Sequence, residues 1–127
     1  MSGNNKVIID SNILIYLSQK KLTINEVFEE NTEYFISIIS YMEILAYNFS
    51  SKEEEAFIDK LLSFFQIIDI TKDIADKVIE LKRKRKIKLP DAIIVATALY
   101  QNIILYTNDK QLYSIENLNT KYFSISK

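Results

Sequence analysis

The stretch "LPDAIIVATALYQNIILYTNDK", residues 89–110, sets Asp91 and Asp109 eighteen positions apart. Asp91 stands directly before an apolar run long enough for a helix, with Pro90 in the first-turn position that proline favours. Asp109 closes a strand-like run, "IILYT" at 103–107. A helix that leads into a parallel strand begins near the strand's carboxyl edge. The two carboxylates are therefore either ordinary helix-end acids or neighbours in space.

Working outward, "KVII" (6–9) is a short β-branched run ending at Asp10, and 11–19 reads as a helix with Ile13, Leu14 and Leu17 on one face. A short helix is expected over 24–30 and a strand over "YFISII" (34–39). Ser40 then caps a helix to about Tyr47, and Glu43, three residues on, fits a capping box. Ser51 and Glu54 have the same spacing before a helix over 52–64 whose stripe is Phe57, Leu61 and Phe64. "FQIIDI" (65–70) is a strand candidate, and Thr71 caps a helix with Ile74, Val78 and Leu81 as its stripe. A short helix near 110–115 and a strand at "KYFSI" (121–125) finish the pattern. Strands alternate with helices and are continuously apolar, as expected when both sheet faces are covered. The expectation is one three-layer α/β/α domain, residues 1–127, around a mainly parallel sheet.

Composition narrows the chemistry. The chain has 127 residues, no cysteine and no histidine. That removes thiolate chemistry, disulfides and the commonest general base and zinc ligand. With no signal peptide or long apolar run, a cytoplasmic protein with no membrane contact is expected. In open parallel sheets, ligands bind beyond the carboxyl ends of the strands. Asp10, Glu43, Asp91 and Asp109 all fall at that edge. Each alone has an ordinary reading as a cap, a turn or a dipole partner. Four such choices need not share an edge, whereas a metal site requires it. Carboxylates without His or Cys suit Mg²⁺ or Mn²⁺. Such an ion can activate water and clamp a phosphate. Setting those four acids aside, a chain of net charge −1 is left at +3, a mildly basic setting for a polyanion.

The run "KRKRKIK" (82–88) holds the chain's only arginines, Arg83 and Arg85, directly before the 89–110 stretch. It is either a solvated helix end, with Asp73–Lys77 and Glu80–Lys84 as supporting pairs, or a set of phosphate contacts including Arg83, Arg85, Lys86 and Lys88. Tyr16 and Tyr47 are candidates for stacking on a base.

Four blocks, "VIIDSNILIYL", "SIISYMEILAY", "LPDAIIVATAL" and "ILYTND", resemble in order the motif blocks of PIN domains, and most of all the VapC-type toxins of bacterial toxin–antitoxin pairs. The resemblance implies a Mg²⁺- or Mn²⁺-dependent endoribonuclease. Its acidic quartet falls on Asp10, Glu43, Asp91 and Asp109, with Asn12 and Thr107 in supporting positions. It also implies an RNA substrate, a cognate antitoxin and a homodimer. The early-helix residues Leu14, Tyr16, Leu17 and Phe28 are expected to supply surplus apolar surface for such contacts. Glycines usual in the family are replaced near the second and fourth blocks by Asn48 and Asn102. The haloacid-dehalogenase phosphatases want an acid where Asn12 stands, and receiver domains want an acidic pair that "KVIID" lacks. The remaining alternative is a PIN-like module that binds RNA or protein without cleaving.

Overall fold

The computed structural model describes residues 5–125. Five parallel strands, β1 (Asn5–Ile9), β2 (Thr32–Ser37), β3 (Gln66–Ile68), β4 (Ile104–Tyr106) and β5 (Thr120–Lys121), lie in the order β3-β2-β1-β4-β5. Because the sheet is parallel throughout, every strand delivers its carboxyl end to the same edge. β1 is central, and its alternation assigns the layers. Val7 and Ile9 pack with α1 (Ser11–Ser18), α2 (Ile24–Val27), part of α3 (Ile38–Leu45) and α4 (Lys52–Leu62). Ile8 faces α5 (Lys72–Lys84) and α6 (Leu89–Gln101). This is the expected three-layer architecture. In α6, every residue from Ala92 to Ala98 is buried, which is why that helix is apolar on all sides. Thr97 satisfies its hydroxyl on the Ile93 carbonyl at 2.7 Å.

Several expectations are corrected. Ile38 and Ile39 begin α3 instead of extending β2, because Ser37 caps the helix by accepting from the Ile39 amide. Ser40 is therefore an interior helix residue, fully buried, with no hydrogen-bond partner for its hydroxyl among the described residues. α2 opens on a Thr23–Glu26 capping box and stops at Val27. Of the expected stripe of α4, Leu61 is buried and Phe57 packs against the core, but Ile58 joins them and Phe64, beyond the helix end, is 72% exposed. Ser51 caps α4, but Glu54 turns its carboxylate to Ser50. Residues 110–112 form a single 3₁₀ turn, and β5 is only two residues long. Asp73 accepts from the Tyr100 hydroxyl, while Lys77 pairs with Glu80. The Glu80–Lys84 pair forms at 3.5 Å.

Asn102 ends α6 in the left-handed region, φ 56°. That conformation explains how asparagine stands in for a glycine here, since it is among the few residues that adopt it readily.

Candidate active site at the carboxyl edge of the sheet

Asp10 follows β1 and occupies the N-cap position of α1, yet its side chain makes no capping bond. The Thr107 hydroxyl donates to its Oδ2 at 2.7 Å, and Asn12 Nδ2 donates to the same oxygen at 3.2 Å. Thr107 follows β4, so this contact ties together the ends of the two central strands. The same hydroxyl accepts from the Asp109 amide at 3.1 Å. Asn12 Oδ1 accepts from the Asn108 amide at 3.3 Å. The segment carrying Asp109 is thus fixed to the segment carrying Asp10.

Asp10 is 5% exposed. Burial pushes its carboxyl up to about 6, against the lowering effect of the Thr107 hydroxyl and the Ser11 amide, and the charges of Asp91 and Glu43 push the same way as burial. Glu43 sits in the second turn of α3, not the first, and remains exposed. Its carboxyl is raised by partial burial and by Asp91, and it accepts from the Ser11 hydroxyl at 3.4 Å. With Ser37 as the cap, Glu43 has no capping role, so the ordinary explanation of this residue falls away. Asp91, in the first turn of α6, is raised by partial burial and by the charge of Asp109, while Lys88 acts in the opposite direction. Asp109 caps the 3₁₀ turn through the Gln111 amide at 3.0 Å, which realises its ordinary reading on one oxygen.

The four acids therefore feel one another in pairs along the edge, Asp10 with Glu43 and Asp91, Glu43 with Asp91, and Asp91 with Asp109. They do not close into a cage: among the described residues, no three acidic side chains converge tightly enough to wrap one ion. Their chemistry nevertheless fits a hard divalent cation. All available donors are carboxylate, hydroxyl and amide oxygens, and Mg²⁺ is commonly held by only one or two carboxylates with its other positions filled by water and phosphate.

The basic run divides on folding. Lys82, Arg85, Lys86 and Lys88 line a groove of about 580 Å³ with Ile87 and Gln111. Gln111 belongs to the turn that Asp109 caps, so the groove borders the acids. Lys82 Nζ also donates to the Ile87 carbonyl at 2.6 Å, fixing the loop between α5 and α6. Arg83 is exposed and does not line this groove; it projects from the face of α5 that carries the exposed Ile79. Sequence reasoning missed Lys82, Gln111, Ser11 and Asn108. Ser11 adjoins Asp10 in "DSN" and Asn108 adjoins Asp109, and that adjacency was the available signal.

A parallel five-stranded sheet carrying carboxylates at the ends of its central strands and at the start of the helix before β4 defines an α/β domain of the PIN type. The chain belongs to the PIN-domain family, whose model matches residues 7–118. Solved structures agree. VapBC2 of Rickettsia felis, bound to a DNA fragment from its promoter, matches with a TM-score of 0.77 and 23% identity, covering 93% of this chain and 98% of that one. DNA-bound VapBC of Salmonella typhimurium gives 0.78 and 22%, covering 93% and 98%. A toxin–antitoxin complex from Klebsiella pneumoniae gives 0.69 and 33%, covering 88% and 94%. No curated protein sequence matches the chain.

Proposed function

We propose that the chain acts as one unit, a divalent-metal-dependent endoribonuclease of the toxin–antitoxin type. The observation that carries this reading is the buried, uncapped Asp10, held by Thr107 and Asn12 and facing Glu43 and Asp91. Burying a carboxylate is costly, and natural proteins retain one where it pairs or binds a cation. Asp10, Glu43, Asp91 and Asp109 are the residues that would hold Mg²⁺ or Mn²⁺, with water and phosphate filling the remaining positions. A bound ion supplies a Lewis acid for the phosphate and a water of lowered pKa. The chain's residues do the rest. Thr107 and Asn12 fix the orientation of Asp10. Glu43, steadied by Ser11, is placed to accept a proton. Arg85, Lys86 and Lys88 hold the RNA backbone beside the acids, with Lys82 shaping their loop. Arg83, called with them from sequence, is assigned a role outside this groove.

The likeness to VapBC structures and to a toxin–antitoxin complex supports an antitoxin partner. We place partner contacts, including a homodimer, away from the expected residues. Leu14 and Leu17 are buried in the core, and Tyr16 and Phe28 pack against it. The surplus apolar surface is instead at Ile24, Met42, Leu45 and Phe64. Ile24 and Phe64 flank a groove of about 300 Å³ lined also by Phe28, Tyr34, Leu61 and Phe65.

The end chemistry of the products tests the cleavage reading. In-line attack by water that breaks the P–O3′ bond and expels the 3′-oxygen leaves 5′-phosphate and 3′-hydroxyl ends, whereas 2′,3′-cyclic phosphate ends would contradict it. The open spacing of the acids favours one other reading, a module that binds RNA without cutting. Binding of RNA with no divalent-dependent cleavage would select that alternative.

A further inference from the structure

Two exposed tyrosines stand beside the segment that carries Asp109. Tyr113 ends the 3₁₀ turn that Asp109 caps, and its hydroxyl donates to the Thr107 carbonyl at 2.9 Å. Tyr113 is still 36% exposed. Tyr122 is 50% exposed and meets Tyr113 edge to face, with centroids 6.4 Å apart and planes at 84°. Tyr122 is pinned on both sides. The carbonyl before it, on Lys121, accepts from the Thr107 amide at 3.1 Å. Phe123 after it exchanges two bonds with the Asn108 side chain, at 2.8 and 2.9 Å. Both tyrosines are therefore anchored to residues 107 and 108, between the buried Asp10 contact and Asp109.

Their solvent exposure has no explanation in the core: the rings pack on each other, and the nearby core is completed by Leu112, Ile115, Leu118 and Phe123. The surroundings are suited to a polyanion. Lys110 lies in the same turn, and Gln111 in that turn lines the basic groove on its other flank. Tyr113 therefore shares the short segment 109–113 with Asp109 and the groove-lining Gln111, and Tyr122 packs against it.

We propose that Tyr113 and Tyr122 form a stacking platform for an unpaired base flanking the cleaved phosphate, an inference that rests on the ribonuclease reading above. Stacking accepts any base because every base has a π-face. The platform therefore selects single-stranded RNA over duplex without dictating sequence, and it is distinct from the candidates Tyr16 and Tyr47. Tyr16 packs against the core, and Tyr47 pairs with Phe49.

The test uses the full chain in EDTA, so that binding is read without cleavage, with short single-stranded RNAs carrying 2-aminopurine and matched strands carrying abasic sites. The wild type should quench the 2-aminopurine and prefer the base-bearing strand. Tyr122→Leu and Tyr113→Leu should each weaken that binding by about tenfold and relieve the quenching. Abasic strands should bind the wild type and the variants alike. Tyr122→Phe and Tyr113→Phe keep the rings and should behave as the wild type, and the latter separates stacking from the hydrogen bond to Thr107. Equal affinity of the wild type and the leucine variants for base-bearing RNA would overturn the platform while leaving the ribonuclease reading intact, and would make the pair a protein-contact surface. Absence of any RNA binding by the wild type both in EDTA and with Mg²⁺ present would overturn both.

Discussion

The Thr107 hydroxyl lies 2.7 Å from Asp10 Oδ2 and joins the ends of β1 and β4, the central strand and its neighbour. Ninety-seven residues apart in sequence, the two side chains are buried together. Thr107→Val keeps the shape and removes the donor. Leaving a buried acceptor short of a partner costs about 1–3 kcal/mol. The variant should lose stability of that order in urea unfolding and cleave RNA more slowly. Thr107→Ser, which keeps the hydroxyl, should recover most of both. A valine variant with full stability and activity would remove Thr107 from the site.

The raised pKa of Asp10 makes a pH prediction for the metal-free protein. Its carboxyl titrates near 6 in the fold against 3.8 when free. Below about pH 4 it is neutral in both states and costs nothing. As pH rises through 6 the folded state must carry a buried charge, and that stability is lost. At roughly 1.4 kcal/mol per pK unit, the loss at pH 8 is about 3 kcal/mol. In EDTA, Asp10→Asn should therefore be more stable than the wild type at pH 8, and the difference should fade toward pH 4. Glu43 and Asp91, raised as well, act in the same direction. Equal stabilities of the two proteins at every pH would contradict this account of the site.

Glu43→Gln separates ligand from scaffold. Ser37, not Ser40, caps α3, and Glu43 is exposed, so nothing in the helix depends on its charge. The variant should stay within about 1 kcal/mol of wild-type stability, the range of ordinary surface changes, while cleavage nearly disappears. An active glutamine variant would return Glu43 to an ordinary surface position.

The divided basic run gives a contrast within a few residues. Neutralising Arg85 and Lys86, which line the groove, should weaken RNA binding across sequences and flatten the log–log salt dependence by about 0.7 per lost contact. Arg83→Gln, outside the groove, should change neither. Mn²⁺ affinity without RNA should stay the same in all of them. A salt slope that responds to Arg83 and not to Arg85 would move the RNA path to the outer face of α5.

Much of the site was legible because its acids sit next to strong local signals. Asp10 ends a β-branched run, Asp91 follows a first-turn proline, and Asp109 follows an apolar strand, so a parallel sheet alone gathers them. Glu43 was placed at the right edge with the wrong local role. The β-branched Ile38 and Ile39 look like more strand, and only the Ser37 cap shows where α3 starts. Phe64 was misplaced for a related reason. Helical spacing puts Phe57 and Phe64 in one stripe with Leu61, but α4 ends at Leu62 and leaves Phe64 outside. The clasp of Asn108 on Phe123 and the groove joining Lys82 to Gln111 are tertiary, and no local pattern encodes them.

The most direct test of the central claim is cleavage of single-stranded RNA by the purified protein, followed while Mg²⁺ or Mn²⁺ is titrated in, with Asp10→Asn measured beside it. The account predicts no cleavage in EDTA, saturable cleavage with either ion, and almost none from Asp10→Asn at any ion concentration, although that variant folds. Cleavage that persists in EDTA, or that survives in Asp10→Asn, would contradict a carboxylate-held metal as the centre of this site.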